Sequence, residues 1–341
     1  MPDRNIVLCL PAAPRHLNQI QRCCGNNQVI LSSQDEIPSK ILDADIFFGH
    51  AKVPVDWDKV VASKRLRWIQ SSAAGLDHCL VPAVVDSDIP VTGCSGLFAQ
   101  QVTEQTFAIL FGLIRNMNSF HDAQQRRQYK RLPTDILYDK TVGIVGFGGN
   151  GRRIAKALQP LAQRIIATDC FPDFHPSNSV EVRSSEDLDW LLSNSNVVIV
   201  TLPLSAQNEG LLGVDAFEAM QKDSYFINVG RGSVVDHDAL CAAVGAGKLK
   251  GVGLDVADPE PIPADHPIWS LENVIITPHV GAQSPYRVDS STMLFCENLK
   301  RFNSNEPLLN LVDKKLGFPV PDNRLTESRL NEFSIKVRES H

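Results

Sequence analysis

A chain of 341 residues with a net charge of −6, 43% hydrophobic and 21% charged, has the composition of an ordinary globular protein, long enough for about two domains at roughly 150 residues each. That charge gives no electrostatic reason for nucleic acid or an anionic membrane to be the main partner, and no stretch approaches the roughly 18 uninterrupted apolar residues of a membrane span. The eight cysteines are scattered, with Cys23 and Cys24 adjacent but no C-x-x-C pair, which argues against a disulfide scaffold or a zinc site and for reduced thiols in the cytoplasm.

From the N-terminus, short apolar runs at Ile6–Leu10, Gln28–Leu31, Asp45–Phe48, Leu66–Ile69 and Pro90–Thr92 alternate with helix-like or loop segments, which predicts an α/β unit. "LFAQQVTEQTFAILFGLIRNMNSFHDAQQ" follows, with apolar positions that suit one long connecting helix. A second series of six strands is expected at Thr141–Val145, Arg164–Thr168, Val197–Leu202, Tyr225–Val229, Gly251–Val256 and Val274–Thr277, matching a doubly wound parallel sheet. Ser284–Phe302 reads as a helix returning to the first unit, and the polar tail beyond Asp313 reads as a surface extension.

The stretch "TVGIVGFGGNGRRIAKALQP" places glycines at 146, 148, 149 and 151 between the first strand of this second series and a helix that Pro160 ends. Gly146 permits a sharp turn, Gly148 lets backbone approach a pyrophosphate, and Gly151 allows close packing of helix on strand. Asn150 stands where an apolar residue is usual. The next strand finishes at Asp169, about 20 residues on, where an acid can accept hydrogen bonds from an adenosine ribose. The spacing predicts a dinucleotide site, and the carboxylate predicts NAD.

Further strand ends carry Arg231 in "NVGRGSVVD", Asp255 and Glu260 in "GVGLDVADPEP", and His279 in "ITPHVGAQS". Taken singly, each has a dull reading as a loop charge or a structural imidazole, and His266 in "DHPIW" keeps that reading. Together a guanidinium, a carboxylate and an imidazole are the groups needed to interconvert a 2-hydroxy acid and a 2-oxo acid.

The chain resembles the D-isomer-specific 2-hydroxyacid dehydrogenases from about residue 40 to residue 313. The resemblance rests on "SSAAGLDH" (Ser71–His78), "VTEQTFAILFGLIR" (Val102–Arg115), the glycine turn, "NVGRG" (Asn228–Gly232), "GLDVADPEP" (Gly253–Pro261) and "TPHVGA" (Thr277–Ala282), in that order. It implies a Rossmann-type NAD-binding domain over 102–284 and a flavodoxin-like α/β substrate domain formed by 1–101 and 285–341, with two crossings of the chain and a cleft for cofactor and substrate. It also implies a homodimer supported by the helix at Val102–Arg115, and a small 2-oxo or 2-hydroxy acid as substrate.

By the same resemblance Arg231, Glu260 and His279 are the catalytic trio. The implied cofactor contacts are Gly146, Gly148, Gly149, Asn150, Gly151, Asp169, Leu202, Pro203, Val229, Gly230 and Asp255. Backbone N–H groups at Ala73, Ala74 and Gly75, expected near a helix start, join Arg231 in binding the substrate carboxylate, and Glu260 orients His279 and favours its cationic form. Formate oxidation needs no such proton relay, and its pattern has Gln in place of Glu260. A nucleotide-sensing co-regulator of the C-terminal binding protein kind shares the trio, without a positive sign in this chain.

Overall fold

The computed structural model describes residues 4–174 and 179–339. The chain divides into two units: one takes the residues up to Phe98 and again from Ser284, and the other is Ala99–Gln283. In the first, β1 (Asn5–Cys9), β2 (Gln28–Leu31), β3 (Ile46–Gly49), β4 (Trp68–Ser71) and β5 (Val91–Thr92) form an all-parallel sheet in the order β2-β1-β3-β4-β5. This is the flavodoxin-like order. One face is closed by the helix Arg287–Asn303, whose Phe295 stacks on Phe48 at 4.3 Å and on Trp68 at 5.4 Å between ring centroids. Strands covered on both faces need continuous apolar runs, and β3 and β4 are buried at every residue.

In the second unit β6 (Thr141–Val145), β7 (Arg164–Asp169), β8 (Glu181–Ser184), β9 (Val197–Val200), β10 (Ser224–Asn228), β11 (Leu249–Leu254) and β12 (Val274–Ile276) run parallel in the order β12-β11-β10-β9-β6-β7-β8. Counted from β6, this is the dinucleotide-binding order with one strand added at β12. The strand order reverses at β6, so the loops after β6 and β9 flank the switch point of the sheet.

Three expectations are corrected. Six strands were expected where there are seven: β8 is a polar edge strand in which Glu181 pairs with Arg183 at 2.7 Å, so its pattern reads as a loop. The single connecting helix is two, Ala99–Ile114 and Met117–Gln125, broken at Asn116. Asn116 has φ 55°, a left-handed conformation that Asn tolerates better than most residues, and its amide donates to the Pro133 carbonyl. The C-terminal tail is no mere surface extension, because it forms the helix Glu327–Glu339, which buries Phe333 and Val337 and sets Arg329 3.5 Å from Glu297 of the helix Arg287–Asn303.

Candidate active site

The chain leaves β6 at Val145 and enters the helix Gly149–Leu158 within four residues. Gly146 makes the turn at φ 89°, and a Cβ on Gly151 would lie 2.3 Å from the Gly146 carbonyl oxygen, so only glycine lets the helix approach its strand this closely. At Gly148, the N-cap, a Cβ would meet nothing within 4 Å. The first N–H groups of a helix, here those of Gly149, Asn150 and Gly151, have no partner within it, as an anion site requires. Asp169 at the end of β7 accepts from the Phe147 N–H at 2.8 Å and the Phe171 N–H at 2.9 Å, which ties its carboxylate to the turn. These residues fit NAD.

Because β6, β9 and β10 are neighbours in the sheet, the loops after them meet. Thr201 Oγ1 donates to the Gly146 carbonyl at 2.7 Å, the Val229 N–H donates to Val200 at 3.1 Å, and a Cβ on Gly230 would lie 2.5 Å from the Leu202 carbonyl oxygen. Leu202, Val229 and Gly230 therefore lie in one loop cluster with the glycine turn. Pro203 follows, its carbonyl accepting from the Asn208 amide at 2.6 Å.

Beyond β10, buried Asn228 shapes the turn that presents Arg231: its amide donates to the Arg231 carbonyl at 2.8 Å and its oxygen accepts from the Gly230 N–H at 3.0 Å. Arg231 Nη1 donates to the Gly230 carbonyl at 2.8 Å. A Cβ on Gly232 would fall 1.9 Å from the Ala257 carbonyl oxygen, so the Arg231 turn lies directly on the loop after β11. In that loop Glu260 Oε1 accepts from the Ala257 N–H at 3.0 Å, while Oε2 lies 2.9 Å from His279 Nδ1. Burial alone would raise the Glu260 carboxyl, but the His279 bond, the Ala257 N–H and the Arg231 charge hold it below its ordinary value. Glu260 is thus ionised and can only accept, so His279 Nδ1 carries a proton and Nε2 is the nitrogen left for chemistry. Both side chains stay partly open, 45% for His279 and 39% for Glu260.

Asp255, expected to contact the cofactor, is 2% exposed. Its Oδ1 accepts from Thr277 Oγ1 at 2.7 Å and the Val280 N–H at 3.0 Å, its Oδ2 accepts from the Gly281 N–H at 2.8 Å, and its carbonyl accepts from the His279 N–H at 2.7 Å. Its carboxylate is engaged in holding His279, which sits at a left-handed φ of 54°. Thr277 also accepts from Gln105 Nε2 at 2.9 Å. Thr201, Thr277 and Gln105 were not singled out from sequence, since their contacts span strands or helices distant in the chain, and Asn228 was not singled out although its contacts with Gly230 and Arg231 are local. His266 caps the turn Pro267–Ser270 by accepting from the Ile268 N–H at 3.2 Å.

In the first unit, Ala73–Gly75 does not begin a helix as expected. It is an irregular bend after β4, and the next helix is Pro82–Val85. The Ala73 N–H is already bonded to Ser71 Oγ at 3.1 Å, while those of Ala74 and Gly75 have no acceptor among the described residues. Among the described residues, no group of three or more His, Cys, Asp or Glu side chains is placed to hold a metal ion, and no helix is long and apolar enough to cross a membrane.

The family profile for "D-isomer specific 2-hydroxyacid dehydrogenase, NAD binding domain" matches residues 107–281, just over half of the chain. D-3-phosphoglycerate dehydrogenase of Methanocaldococcus jannaschii is 27% identical over 86% of this chain, which spans only 58% of that protein's length. Glyoxylate reductase of Thermofilum pendens is 28% identical over 88% of this chain and 91% of its own. A D-isomer specific 2-hydroxyacid dehydrogenase of Xanthobacter autotrophicus, solved with NADPH and MES, shares the fold at a TM-score of 0.80 and 24% identity, covering 93% of this chain and 100% of its own. With the profile lying over the unit that holds the glycine turn, Arg231, Glu260 and His279, the chain belongs to the D-isomer specific 2-hydroxyacid dehydrogenase family, and its cofactor is NAD.

Proposed function

We propose that this protein reduces a small 2-oxo acid to the D-2-hydroxy acid, and catalyses the reverse, with Arg231, Glu260 and His279 as its catalytic residues. The observation that carries this reading is the 2.9 Å contact between His279 Nδ1 and Glu260 Oε2, which leaves Nε2 to exchange a proton with the substrate oxygen. NAD, when bound, supplies or accepts the hydride. His279 in its cationic form donates from Nε2 to the carbonyl oxygen as reduction proceeds, and in its neutral form takes the hydroxyl proton in oxidation. Arg231 holds the substrate carboxylate through a paired, charge-assisted contact and fixes the carbonyl carbon for transfer. The Ala74 and Gly75 N–H groups are donors suited to an anion. Asp255 acts through its grip on the His279 loop. The same reading includes a cytoplasmic homodimer.

The test is reduction of a panel of 2-oxo acids with NADH across pH. His279→Ala should lose most turnover at every pH, on the order of 10²-fold or more, with NADH binding retained. Glu260→Gln keeps the size and removes the charge that favours imidazolium, so kcat/KM should fall more at alkaline than at acidic pH. An unchanged pH profile in the Gln variant, together with an active Ala variant, would assign the proton to another group.

A further inference from the structure

Where the helix Pro14–Cys24 packs on the helix Arg287–Asn303, Cys23 and Cys296 place their sulfurs 2.9 Å apart across 273 residues of sequence, sharing a hydrogen bond. Both helices belong to the first unit. A disulfide needs about 2.0 Å between sulfurs, so modest side-chain rotation closes the gap. Cys23 is half-buried, whereas Cys296 is 7% exposed. We propose that Cys23 and Cys296 form an oxidisable thiol pair, in which a hydroperoxide attacks through Cys23 and Cys296 resolves the product into a disulfide stapling the two helices.

The local chemistry favours that division of labour. The hydrogen bond with Cys296, together with the Lys300 ammonium one helical turn beyond it, outweighs burial and draws the Cys23 thiol below its ordinary range. The same bond and burial push Cys296 up. In its thiol form Cys23 also donates to the Ile20 carbonyl at 3.1 Å. Cys24 is 5% exposed, burial raises its thiol, and its sulfur is turned to the Gln21 carbonyl at 3.2 Å. Successive helical residues do not face each other, so Cys24 is badly placed to resolve Cys23.

In the first step the Cys23 thiolate attacks a peroxide oxygen. The S–O bond forms, the O–O bond breaks, and the leaving alkoxide takes a proton to become an alcohol. In the second, the Cys296 sulfur attacks the Cys23 sulfenic sulfur: the S–S bond forms, the S–O bond breaks, and hydroxide leaves with the Cys296 proton as water. Two thiols are oxidised by two electrons and one hydroperoxide is reduced. The staple ties the chain's first helix to a helix near its end, a long loop of the kind whose closure most restricts the unfolded state.

The test treats the reduced full-length protein with hydrogen peroxide, blocks remaining thiols, and maps the peptides by mass spectrometry. The expected product joins the Cys23 and Cys296 peptides, is reversed by dithiothreitol, and raises Tm by several degrees. Cys296→Ala or Cys296→Ser should instead accumulate a sulfenic acid on Cys23 that dimedone traps, and Cys23→Ser should give neither product. Oxidation first at Cys24 or at the exposed Cys170, a bond between chains, or no Cys23–Cys296 peptide at any peroxide dose would overturn the proposal.

Discussion

Arg231 owes its place to a buried asparagine two strands from the nucleotide turn, and its assigned task depends on planarity as well as charge. An ammonium at that position keeps the charge but cannot form the paired contact with a carboxylate. Arg231→Lys should therefore lower kcat/KM for 2-oxo acid reduction by about 10²-fold, a loss of roughly 3 kcal/mol of transition-state stabilisation. NADH affinity should hardly change, and a selective loss of NADH binding would make Arg231 a cofactor residue. Asp169 carries a second expectation at this scale. Its carboxylate is fixed against the turn by two N–H donors and would repel a 2′-phosphate, and Cys170, Phe171 and Pro172 bring no arginine to neutralise one. Steady-state kinetics should favour NADH over NADPH by at least an order of magnitude, and comparable kcat/KM values would refute the assignment.

Among the elements, the contact between the first helix and the helix Arg287–Asn303 concentrates buried charge. Asp289, 6% exposed, accepts from Arg15 Nε at 2.9 Å and lies 2.9 Å from His16 Nε2, while His16 Nδ1 accepts from the Ala13 N–H at 2.9 Å. Burial opposes ionisation of Asp289, but the bonds from Arg15 and His16 win and hold its carboxyl below its ordinary value. A carboxyl depressed in the folded state stabilises above its unfolded pKa of about 3.9, and that contribution is lost as pH falls through the lower folded value. Asp289→Asn should cost about 2 kcal/mol at neutral pH and flatten the loss of stability on acidification, as read from denaturant melts between neutral and acidic pH. Sequence pattern showed the elements better than such contacts. Strands buried on both faces announce themselves by apolar runs, and the glycine turn by spacing, because local sterics dictate both. The polar strand β8, the break at Asn116 and the C-terminal helix were hidden, since each depends on what the segment packs against. At the proposed site, Arg231, Glu260 and His279 were picked out through motifs, whereas Thr277 and Gln105 act across strands and helices whose adjacency only the folded sheet reveals.

For the whole molecule, the second unit displays Tyr129, Tyr138, Met117 and Ile136 at 104%, 77%, 56% and 49% exposure, large side chains that a partner subunit could cover. The proposed homodimer should appear as twice the 37.6 kDa chain mass in light scattering, and Tyr129→Glu with Tyr138→Glu should shift it toward the monomer. A monomeric wild-type protein at micromolar concentration would remove the dimer from the functional reading. The discontinuity of the first unit also bears on how the protein is made. Phe48 and Trp68 emerge from the ribosome early, yet the ring they stack on, Phe295, lies more than 220 residues later in the chain. At about 5–20 residues per second, translation leaves that apolar sheet face uncovered for roughly ten to forty-five seconds while the whole second unit is synthesised and can fold. The last domain to be completed is therefore the one begun first, and newly made chains should depend on chaperones during that interval, with truncation before the helix Arg287–Asn303 yielding aggregates rather than a soluble half-protein.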